Sequence, residues 1–480
     1  MNILLIMADE LSTWGVGCYG VSWGGTLPHT PHIDTLAARG TRFQAAYTPS
    51  PMCVPTRAAI ACGRNLHEIG YWSSAEAYDG RVPSWGHRLQ QVDIPTVSIG
   101  KLHYRNGTDS TGFDRQIEPI HIPEGIGWVR GLLRKPLCSY SATAKLAEMI
   151  GPGDSDYIQF DRRVAEESER WLTDPERRAQ PWCAFVSFLS PHYPLIAPPE
   201  FYGLYDPRRL EAQAQPLPGH PIIREIGTFF SHDGHFTPET RGIARAAYFG
   251  LCSFLDAQVG RVLAALGASG QAGDTLILFT SDHGEMLGGK GVWGKCTMYD
   301  DAARVPLIMA GPGVSAGDRN DPVSLIDLAP TICEAAGLPD PARGFSGRSL
   351  LAPAQPDRTV ISEYHDGGSS VGITMVRWND SPSAGGGAWK YVHYAEGHPP
   401  QLFNLACDPD ENTNLAVEGV NDPVVSAAWT EARRRMAEIL DPEETNTRAH
   451  ADQARLMAKL GGREKLLAQP QWNFTPADSR

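Results

Sequence analysis

The sequence contains no run of about twenty consecutive apolar residues, which is the length that a membrane-spanning helix needs. It has no block of basic residues and no Arg-rich segment interleaved with aromatic side chains, and its formal net charge is −13. We therefore expect neither a membrane nor a nucleic acid as a partner. The apolar run 3–8 has no basic flank and leads straight into Asp9 and Glu10, so we interpret it as a buried strand rather than a signal peptide.

The cysteines also show no spacing that would indicate pairs. The nine cysteines are scattered, odd in number and free of C-x-x-C spacing. This argues against a disulfide framework or a zinc knuckle and favours a reducing, cytoplasmic compartment. We find no internal repeat and no low-complexity segment. What remains is a chain of 480 residues, 42% hydrophobic and 20% charged, which is typical of a globular protein with more than one domain.

The alternation of short apolar runs with helical patterns predicts an α/β protein with a mostly parallel central sheet flanked by helices. Thr30 before Pro31 predicts the start of a first helix, and Gly40 its left-handed stop. Apolar residues three and four apart predict a long helix over 241–266, closed by Gly267. The expected strands of the sheet are 2–8, 96–100, 184–189, 275–280 and 305–310.

The composition changes after Leu338. Short runs rich in β-branched and aromatic residues predict a small antiparallel sheet, with a Gly-rich turn at 384–387. The predicted strands are 359–364, 373–378, 389–394 and 401–405, and the predicted helices are 423–440 and 443–467. The predicted units are an α/β domain at 1–340, a smaller C-terminal α+β subdomain at 341–468, and a tail at 469–480. Trp472 and Phe474 in the tail predict that it docks on a partner subunit, and a disordered end is the alternative.

Four of the predicted strands end just before charged or imidazole side chains. These side chains are Asp9 and Glu10, Lys101 and His103, His192, and Asp282 and His283. Ligands of open α/β sheets bind beyond the carboxyl ends of the strands, so these groups are expected to converge. Clustered carboxylates need a cation, and oxygen ligands suit calcium, with manganese as the alternative because of the imidazole. Taken singly, Asp9 and Glu10 also fit a helix N-terminus, and Asp282 and His283 also fit a turn.

The run Cys53-Val54-Pro55-Thr56-Arg57 is the most informative stretch of the chain. Alone, it is also compatible with a small buried thiol, because free Cys is among the most buried residue types. Its C-x-P-x-R spacing, however, resembles the signature of the formylglycine-dependent sulfatases of the alkaline phosphatase superfamily. Other blocks look like that family in the family's order. They include Gly63-Arg64, Gly100-Lys101-Leu102-His103, Pro191-His192-Tyr193-Pro194, Ser281-Asp282-His283-Gly284-Glu285, Arg304-Val305-Pro306-Leu307 and Asp327-Leu328-Ala329-Pro330-Thr331.

The resemblance implies an alkaline-phosphatase-like fold and a specific site. Cys53 would be oxidised to formylglycine by a maturation enzyme, which is thereby an expected partner. The metal ligands would be Asp9, Glu10, Asp282, His283 and the formylglycine oxygen at position 53. Glu10 departs from the usual Asp of the family, which leaves its coordination open. His283 is similar to the choline sulfatase and phosphonate monoester hydrolase branches, whereas many arylsulfatases have Asn there.

The resemblance also implies roles for the remaining side chains. Arg57 would hold the formylglycine diol, and Lys101 and Lys295 would bind the sulfuryl oxygens. His192 would protonate the leaving oxygen, and His103 would take a proton from the second diol hydroxyl, which expels sulfate and restores the aldehyde. We also consider a pocket for the organic group, lined by aromatic side chains. The candidates are Tyr71, Trp72, Tyr104, Trp128 and Trp293.

The expected activity is the hydrolysis of a small organic sulfate monoester by a homo-oligomer, either a dimer or a tetramer. A phosphonate monoester or phosphodiester hydrolase is the alternative, because the same nucleophile, metal and cationic groups suit both transition states. An alternative of another class is a binding protein without catalysis, in which Cys53 stays a thiol.

Overall fold

The computed structural model describes all residues except 21, 22, 24, 141, 142, 232, 381–386, 417–421, 470–474 and 478–480. The strands of the described residues are β1 (Asn2–Asp9), β2 (Thr41–Phe43), β3 (Ala46–Tyr47), β4 (Thr96–Lys101), β5 (Arg115–Ile120), β6 (Ile150–Pro152), β7 (Cys183–Pro191), β8 (Leu195–Ala197), β9 (Thr275–Ser281), β10 (Leu307–Ala310), β11 (Gly317–Arg319), β12 (Val323–Ser324), β13 (Val360–Tyr364), β14 (Ile373–Asn379), β15 (Ala388–Tyr394) and β16 (Gln401–Asn404).

The helices are α1 (Pro31–Ala38), α2 (Cys53–Cys62), α3 (Leu66–Ile69), α4 (Trp85–Gln90), α5 (Ala144–Glu148), α6 (Asp156–Thr173), α7 (Pro199–Tyr202), α8 (Pro221–Phe230), α9 (Pro238–Ala268), α10 (Asp300–Ala303), α11 (Leu328–Ala335), α12 (Pro423–Ile439), α13 (Pro442–Lys459) and α14 (Arg463–Leu467). Several single turns of 3-10 helix lie in the connections.

The central sheet has eight strands in the order β11-β2-β10-β9-β1-β7-β4-β5. Strand β1 runs parallel to both of its neighbours, β7 and β9, and β4 runs parallel to β7 and β5. Among the described strands of this sheet, only β10 opposes its neighbours, because it pairs antiparallel with β9 and with β2. The prediction of a mostly parallel sheet is therefore confirmed.

Strand β1 shows how the sheet is covered on both faces. Successive side chains of a strand point to opposite faces. Leu4 and Ile6 pack into the hydrophobic layer that contains α6 and α9, while Leu5 and Met7 pack into the layer that contains α2, α4 and α11. A strand that is buried on both faces reads as a continuous apolar run, which explains the run 3–8 at the start of the sequence.

Helix α9 is the core helix of the first layer. It is long and apolar enough to cross a membrane, but 78% of its most apolar window is buried inside the protein, as in a core helix. The predicted stop at Gly267 is wrong, because the helix continues to Ala268. The left-handed residue is instead Gly270, with φ of 74°.

The first helix is confirmed, but Thr30 does not cap its start and Gly40 does not terminate it. Gly40 does not have a positive φ, and the helix ends at Ala38 with Arg39 as its C-cap. Gly40 is needed for close approach, because a Cβ atom there would lie 2.4 Å from the carbonyl oxygen of Met309 in β10. Thr30 makes no side-chain cap to the helix.

The C-terminal part contains the predicted small sheet, in which β13, β14, β15 and β16 pair antiparallel in chain order. Helix α12 covers one face of it through Ala428, Ala432 and Met436. The single helix predicted over 443–467 is two helices, because Gly461 and Gly462 have φ of 103° and 87° and break it. Most of the predicted Gly-rich turn lies outside the described residues, and the domain boundary at 340 stays a prediction.

Candidate active site

Four adjacent strands deliver the polar groups to one edge of the central sheet. Asp9 is the last residue of β1 and Lys101 the last residue of β4. His192 directly follows β7, and Asp282 directly follows β9. Because β4, β7, β1 and β9 are neighbours in the sheet, the strand ends converge as the sequence predicts.

Cys53 begins helix α2 at the centre of this group and is only 5% exposed. Its Sγ atom lies 3.1 Å from Nε2 of His283, 3.2 Å from Nζ of Lys295 and 3.8 Å from Oδ1 of Asp9. Burial raises the pKa of the Cys53 thiol to about 12. An unmodified Cys53 is therefore a protonated thiol at neutral pH and a weak nucleophile.

The side chains of Asp9, Cys53, Asp282 and His283 offer ligand atoms that all lie within 4.8 Å of one another, and all four are buried. Nδ1 of His283 lies 3.0 Å from the carbonyl oxygen of Gly284, to which it donates. Burial lowers the pKa of His283, so the neutral imidazole presents the lone pair of Nε2 to the cluster. A histidine oriented in this way by a carbonyl oxygen is a typical metal ligand.

Two cations hold the outer oxygens of the carboxylates. Arg57 donates from Nε to Oδ2 of Asp282 at 2.8 Å, and from Nη1 to the carbonyl oxygen of Lys101 and to Oγ of Ser187. Nζ of Lys101 donates to Oδ2 of Asp9. The Oδ1 atoms of both carboxylates lie on the side of His283, at 3.7 Å and 3.6 Å from its Nε2. Arg57 thus contacts a predicted metal ligand rather than the Cys53 sulfur.

Glu10 lies outside the ligand group of Asp9, Cys53, Asp282 and His283, although its carboxylate approaches that of Asp9. Its backbone is left-handed, with φ of 66°, and its Oε2 lies 3.1 Å from Nε2 of His192 and 3.1 Å from Nζ of Lys295. With Asp9 and His192 it forms a second group of possible ligand atoms. Burial raises the pKa of Glu10 to about 8. The structure thus pairs Glu10 with the predicted acid and the predicted sulfate-binding lysine.

His192 has one tautomer fixed by its own loop. Its Nδ1 lies 2.7 Å from the carbonyl oxygen of Tyr193, to which it donates, so Nε2 is the atom that faces the site. Burial lowers the pKa of His192 well below its usual value. The ring lies 4.4 Å from that of Tyr193 and 5.9 Å from that of Tyr157, measured between centroids.

His103 lies next to the C-terminal tail of the same chain. Its Nε2 is 2.8 Å from Oγ1 of Thr475, and the hydroxyl of Tyr157 donates to the carbonyl oxygen of Thr475. The sequence predicts docking of the tail on a partner subunit, but its described part contacts this chain's own site. Trp472 and Phe474, which motivated that prediction, lie outside the described residues.

The aromatic residues predicted for a pocket have other surroundings. Tyr71 and Trp72 are core residues whose polar atoms donate to Asp79 and Asp452. Tyr104 packs on Tyr78, and Trp128 packs on Phe229 and Phe230. Trp293 stacks on Phe236 and donates to Asp233.

Among the described residues, the rings of Tyr157 and Tyr193 pack beside His192 in the site, and the sequence did not predict them. Tyr193 lies 5.8 Å from the ammonium of Lys295, measured to its ring centroid. Its position directly after His192 in the chain was an available signal. Tyr157 had none, because it comes from the first turn of α6.

The parallel sheet, the buried Cys53 and the surrounding carboxylates, imidazoles and cations define an enzyme of the alkaline-phosphatase-like fold. The chain belongs to the sulfatase family, whose model, described as Sulfatase, matches residues 1–338. A second model, described as N-sulphoglucosamine sulphohydrolase, C-terminal, matches residues 288–438. The protein is thus a sulfuric ester hydrolase.

Curated relatives agree with this family. The choline-sulfatase of Rhizobium meliloti (strain 1021) is 32% identical over 474 residues, which cover 95% of this chain and 90% of the relative. The arylsulfatase K of Homo sapiens is 28% identical over 454 residues, which cover 87% of this chain and 79% of the relative.

Solved structures share the fold along almost the whole chain. The phosphonate monoester hydrolase of Agrobacterium radiobacter superposes with a TM-score of 0.70 at 24% identity, covering 92% of this chain and 96% of the other. A 2-O GAG sulfatase superposes with a TM-score of 0.67 at 22% identity, covering 99% and 98%. At such identities the similarity shows the fold and no more.

Proposed function

We propose that this sulfatase cleaves a small organic sulfate monoester, with residue 53 acting as formylglycine beside a divalent metal ion. The observation that carries the proposal is the position of Cys53. Its sulfur lies within 4 Å of Asp9, His283 and Lys295, at the first residue of a helix and at the carboxyl ends of four strands. A nucleophile here has an imidazole, a carboxylate and a cation around it.

The donor set fits a divalent ion. Asp9, Asp282, His283 and residue 53 would hold it, because their ligand atoms are close together, buried and of mixed oxygen and nitrogen chemistry. When bound, the ion would stabilise negative charge on the substrate and lower the pKa of the attacking hydroxyl. The oxygens favour calcium and the imidazole leaves manganese as the alternative. Glu10 is not among the proposed ligands of this ion, because its carboxylate pairs with His192 and Lys295.

The side chains around residue 53 would bind the substrate and transfer the protons. Lys101 and Lys295 would bind sulfuryl oxygens and stabilise the charge that develops on them. Nε2 of His192 faces the site and would pass a proton to the leaving oxygen, received from the Glu10 carboxyl group beside it at 3.1 Å. His103 would take the proton whose loss releases sulfate. Both imidazoles are buried, which keeps water from competing for these protons.

The formylglycine proposal is tested by mass spectrometry of the peptide that contains Cys53, from a host with the maturation enzyme. We expect the aldehyde, and an unmodified thiol in fully active protein would refute it. The variant Cys53→Ala should lose at least about 10³-fold in kcat/KM with an unchanged melting temperature. An unmodified thiol together with no turnover of any ester would instead favour a binding protein.

Sulfur and phosphorus esters are distinguished by parallel turnover assays. The substrates would be an aryl sulfate, choline sulfate, a phenyl phosphonate and a phosphodiester, each with calcium and with manganese. Choline sulfate is included because the relative from Rhizobium meliloti is named choline-sulfatase, and the phosphorus esters because phosphonate monoester hydrolases share the fold. A higher kcat/KM for a phosphorus ester would overturn the proposed substrate class.

A further inference from the structure

The segment that carries Lys295 has an unusual backbone. We call residues 285–296 the Lys295 loop. Six of its residues have a positive φ, between 46° and 84°. They are Leu287, Gly288, Lys290, Gly291, Gly294 and Cys296. Such conformations cost free energy for residues with a side chain, and they persist only where the surroundings impose them.

The carboxylate of Glu285 lies inside this loop and closes it. Oε1 of Glu285 accepts a hydrogen bond from the backbone N–H of Leu287 at 2.7 Å and another from that of Gly294 at 2.6 Å. Beside it, the N–H of Met286 donates to the carbonyl oxygen of Gly294 at 2.6 Å. One oxygen atom therefore joins the two ends of the loop directly before Lys295.

The backbone of Glu285 is itself fixed to the segment after β1. Its N–H donates to Oγ of Ser12 at 2.8 Å, and the same hydroxyl donates to the carbonyl oxygen of Asp301 at 2.6 Å. Arg245 of α9 donates from two nitrogens to the carbonyl oxygen of Leu287. Glu285 thus connects Ser12, three residues beyond the end of β1, to the loop that carries Lys295.

The free side of the Glu285 side chain faces Glu10. The two carboxyl groups are close enough to interact electrostatically. Oε1 of Glu10 has no hydrogen-bond donor among the described residues. A glutamine at position 285 would keep both functions, because its oxygen can accept from the loop while its amide nitrogen donates to Glu10.

We propose that Glu285 is a positioning residue that holds Lys295 against residue 53 and Glu10 by closing the Lys295 loop. This inference rests on the proposed role of Lys295 in binding the sulfuryl group. Glu285 does not touch the substrate in this arrangement. It acts on the reaction only through the position of the Lys295 ammonium, which is 3.2 Å from the Cys53 sulfur.

The test is a double-mutant cycle on kcat/KM with an aryl sulfate, using the full-length, matured enzyme. Lys295→Ala and Glu285→Ala should each lower kcat/KM by about 100-fold, the loss expected when a charge is absent or displaced by about 1 Å. The double variant should be no more than about 3-fold below Lys295→Ala. Glu285→Gln should retain at least about a third of the wild-type kcat/KM, whereas the shorter Glu285→Asp should not. Glu176→Ala, at an exposed carboxylate, is the control for loss of a charge elsewhere.

Each outcome decides the inference. If Glu285→Ala lowers kcat/KM of the Lys295→Ala enzyme by the full factor again, Glu285 has a merely structural role and the proposal is overturned. If Lys295→Ala keeps wild-type kcat/KM, the proposed function of Lys295 fails as well. Should Glu285→Ala not fold, Glu285→Asp takes its place in the cycle, and circular dichroism verifies the fold of each variant.

Discussion

Glu10 and His103 both have left-handed backbone conformations, with φ of 66° and 56°, and each lies just beyond the end of a strand. Such residues store about 1–3 kcal/mol of strain each, so the contacts around them must fix their orientation. For Glu10 those contacts are His192 and Lys295. For His103 the contact of its Nε2 is the hydroxyl of Thr475.

Replacing Thr475 by Val removes the hydroxyl but keeps the shape of the side chain. We expect kcat to fall by about 5-fold, because one hydrogen bond contributes about 1 kcal/mol to the orientation of His103. Thr475→Ser retains the hydroxyl and should keep the wild-type rate. Steady-state kinetics at saturating substrate measure the difference. Equal rates for the Val and Ser variants would contradict a role of the tail in the site.

Asp9, Lys101 and Asp282 could be located from the sequence, because each follows an apolar run and the ends of parallel strands meet. The contact between His103 and Thr475 could not, since the two residues are 372 positions apart and no local pattern records docking of a tail. The pairing of Glu10 with Lys295 could not be predicted either, because no local pattern records it. It depends on the shape of a loop with many positive φ values, which the sequence indicates only through its glycines.

At the scale of elements, helix α1 receives its N-terminal cap from another helix. Oδ1 of Asp256 in α9 accepts from the N–H of Ile33 at 2.8 Å, and its Oδ2 accepts from that of His32 at 3.2 Å. Thr30, the predicted cap, accepts instead from the N–H of Gly17. Local sequence rules located the helix correctly but named the wrong cap, because the carboxylate comes from 223 residues further along the chain.

Asp256→Ala should therefore destabilise the protein although α1 itself is unchanged. We expect a loss of about 1–2 kcal/mol in the free energy of unfolding, the usual cost of removing a cap. Asp256→Asn keeps an acceptor oxygen and should lose about half as much. Urea unfolding followed by circular dichroism gives both values. A wild-type midpoint for the Ala variant would mean that water replaces the carboxylate without cost.

For the whole molecule, the important contact is the one between the C-terminal sheet and the segment beyond Lys295. Lys390 of β15 is fully buried, and its Nζ lies 2.5 Å from Oδ1 of Asp300 and 2.6 Å from Oε1 of Glu411. It also donates to the carbonyl oxygen of Met298. Tyr47 donates to Asp300 from the N-terminal part of the chain. Met298 and Asp300 lie where the two family models overlap, at 288–338, whereas Lys390 and Glu411 lie in the second model alone.

The cluster predicts a pH-dependent contribution to stability from Glu411. Burial raises its pKa from 4.5 to about 7, against the attraction of Lys390. The folded state then binds more protons than the unfolded state between these values, so the stability supplied by Glu411 is present below pH 4.5 and lost as pH rises through 7. The free-energy difference between wild type and Glu411→Gln should shift by roughly 1–3 kcal/mol over that window. If the free energies of unfolding of wild type and Glu411→Gln changed in parallel with pH, the raised pKa of the Glu411 carboxyl group would be contradicted.

Lys390→Met tests whether the cluster holds the two parts of the chain together. The change leaves the carboxylates of Asp300 and Glu411 buried without their cation, and breaking a buried ion pair in this way costs about 3–5 kcal/mol. We expect a loss of this size in the free energy of unfolding.

The triple variant Lys390→Met, Asp300→Asn and Glu411→Gln removes every charge of the cluster. It should recover at least half of the lost free energy of unfolding, because the loss comes from the unpaired carboxylates and not from the missing methylene packing. Since α10 begins four residues after the end of the Lys295 loop, the single variant should also lower kcat/KM for the sulfate ester more than the triple variant does. Equal stability of the single and triple variants would show that packing, rather than charge, joins the C-terminal sheet to the catalytic part.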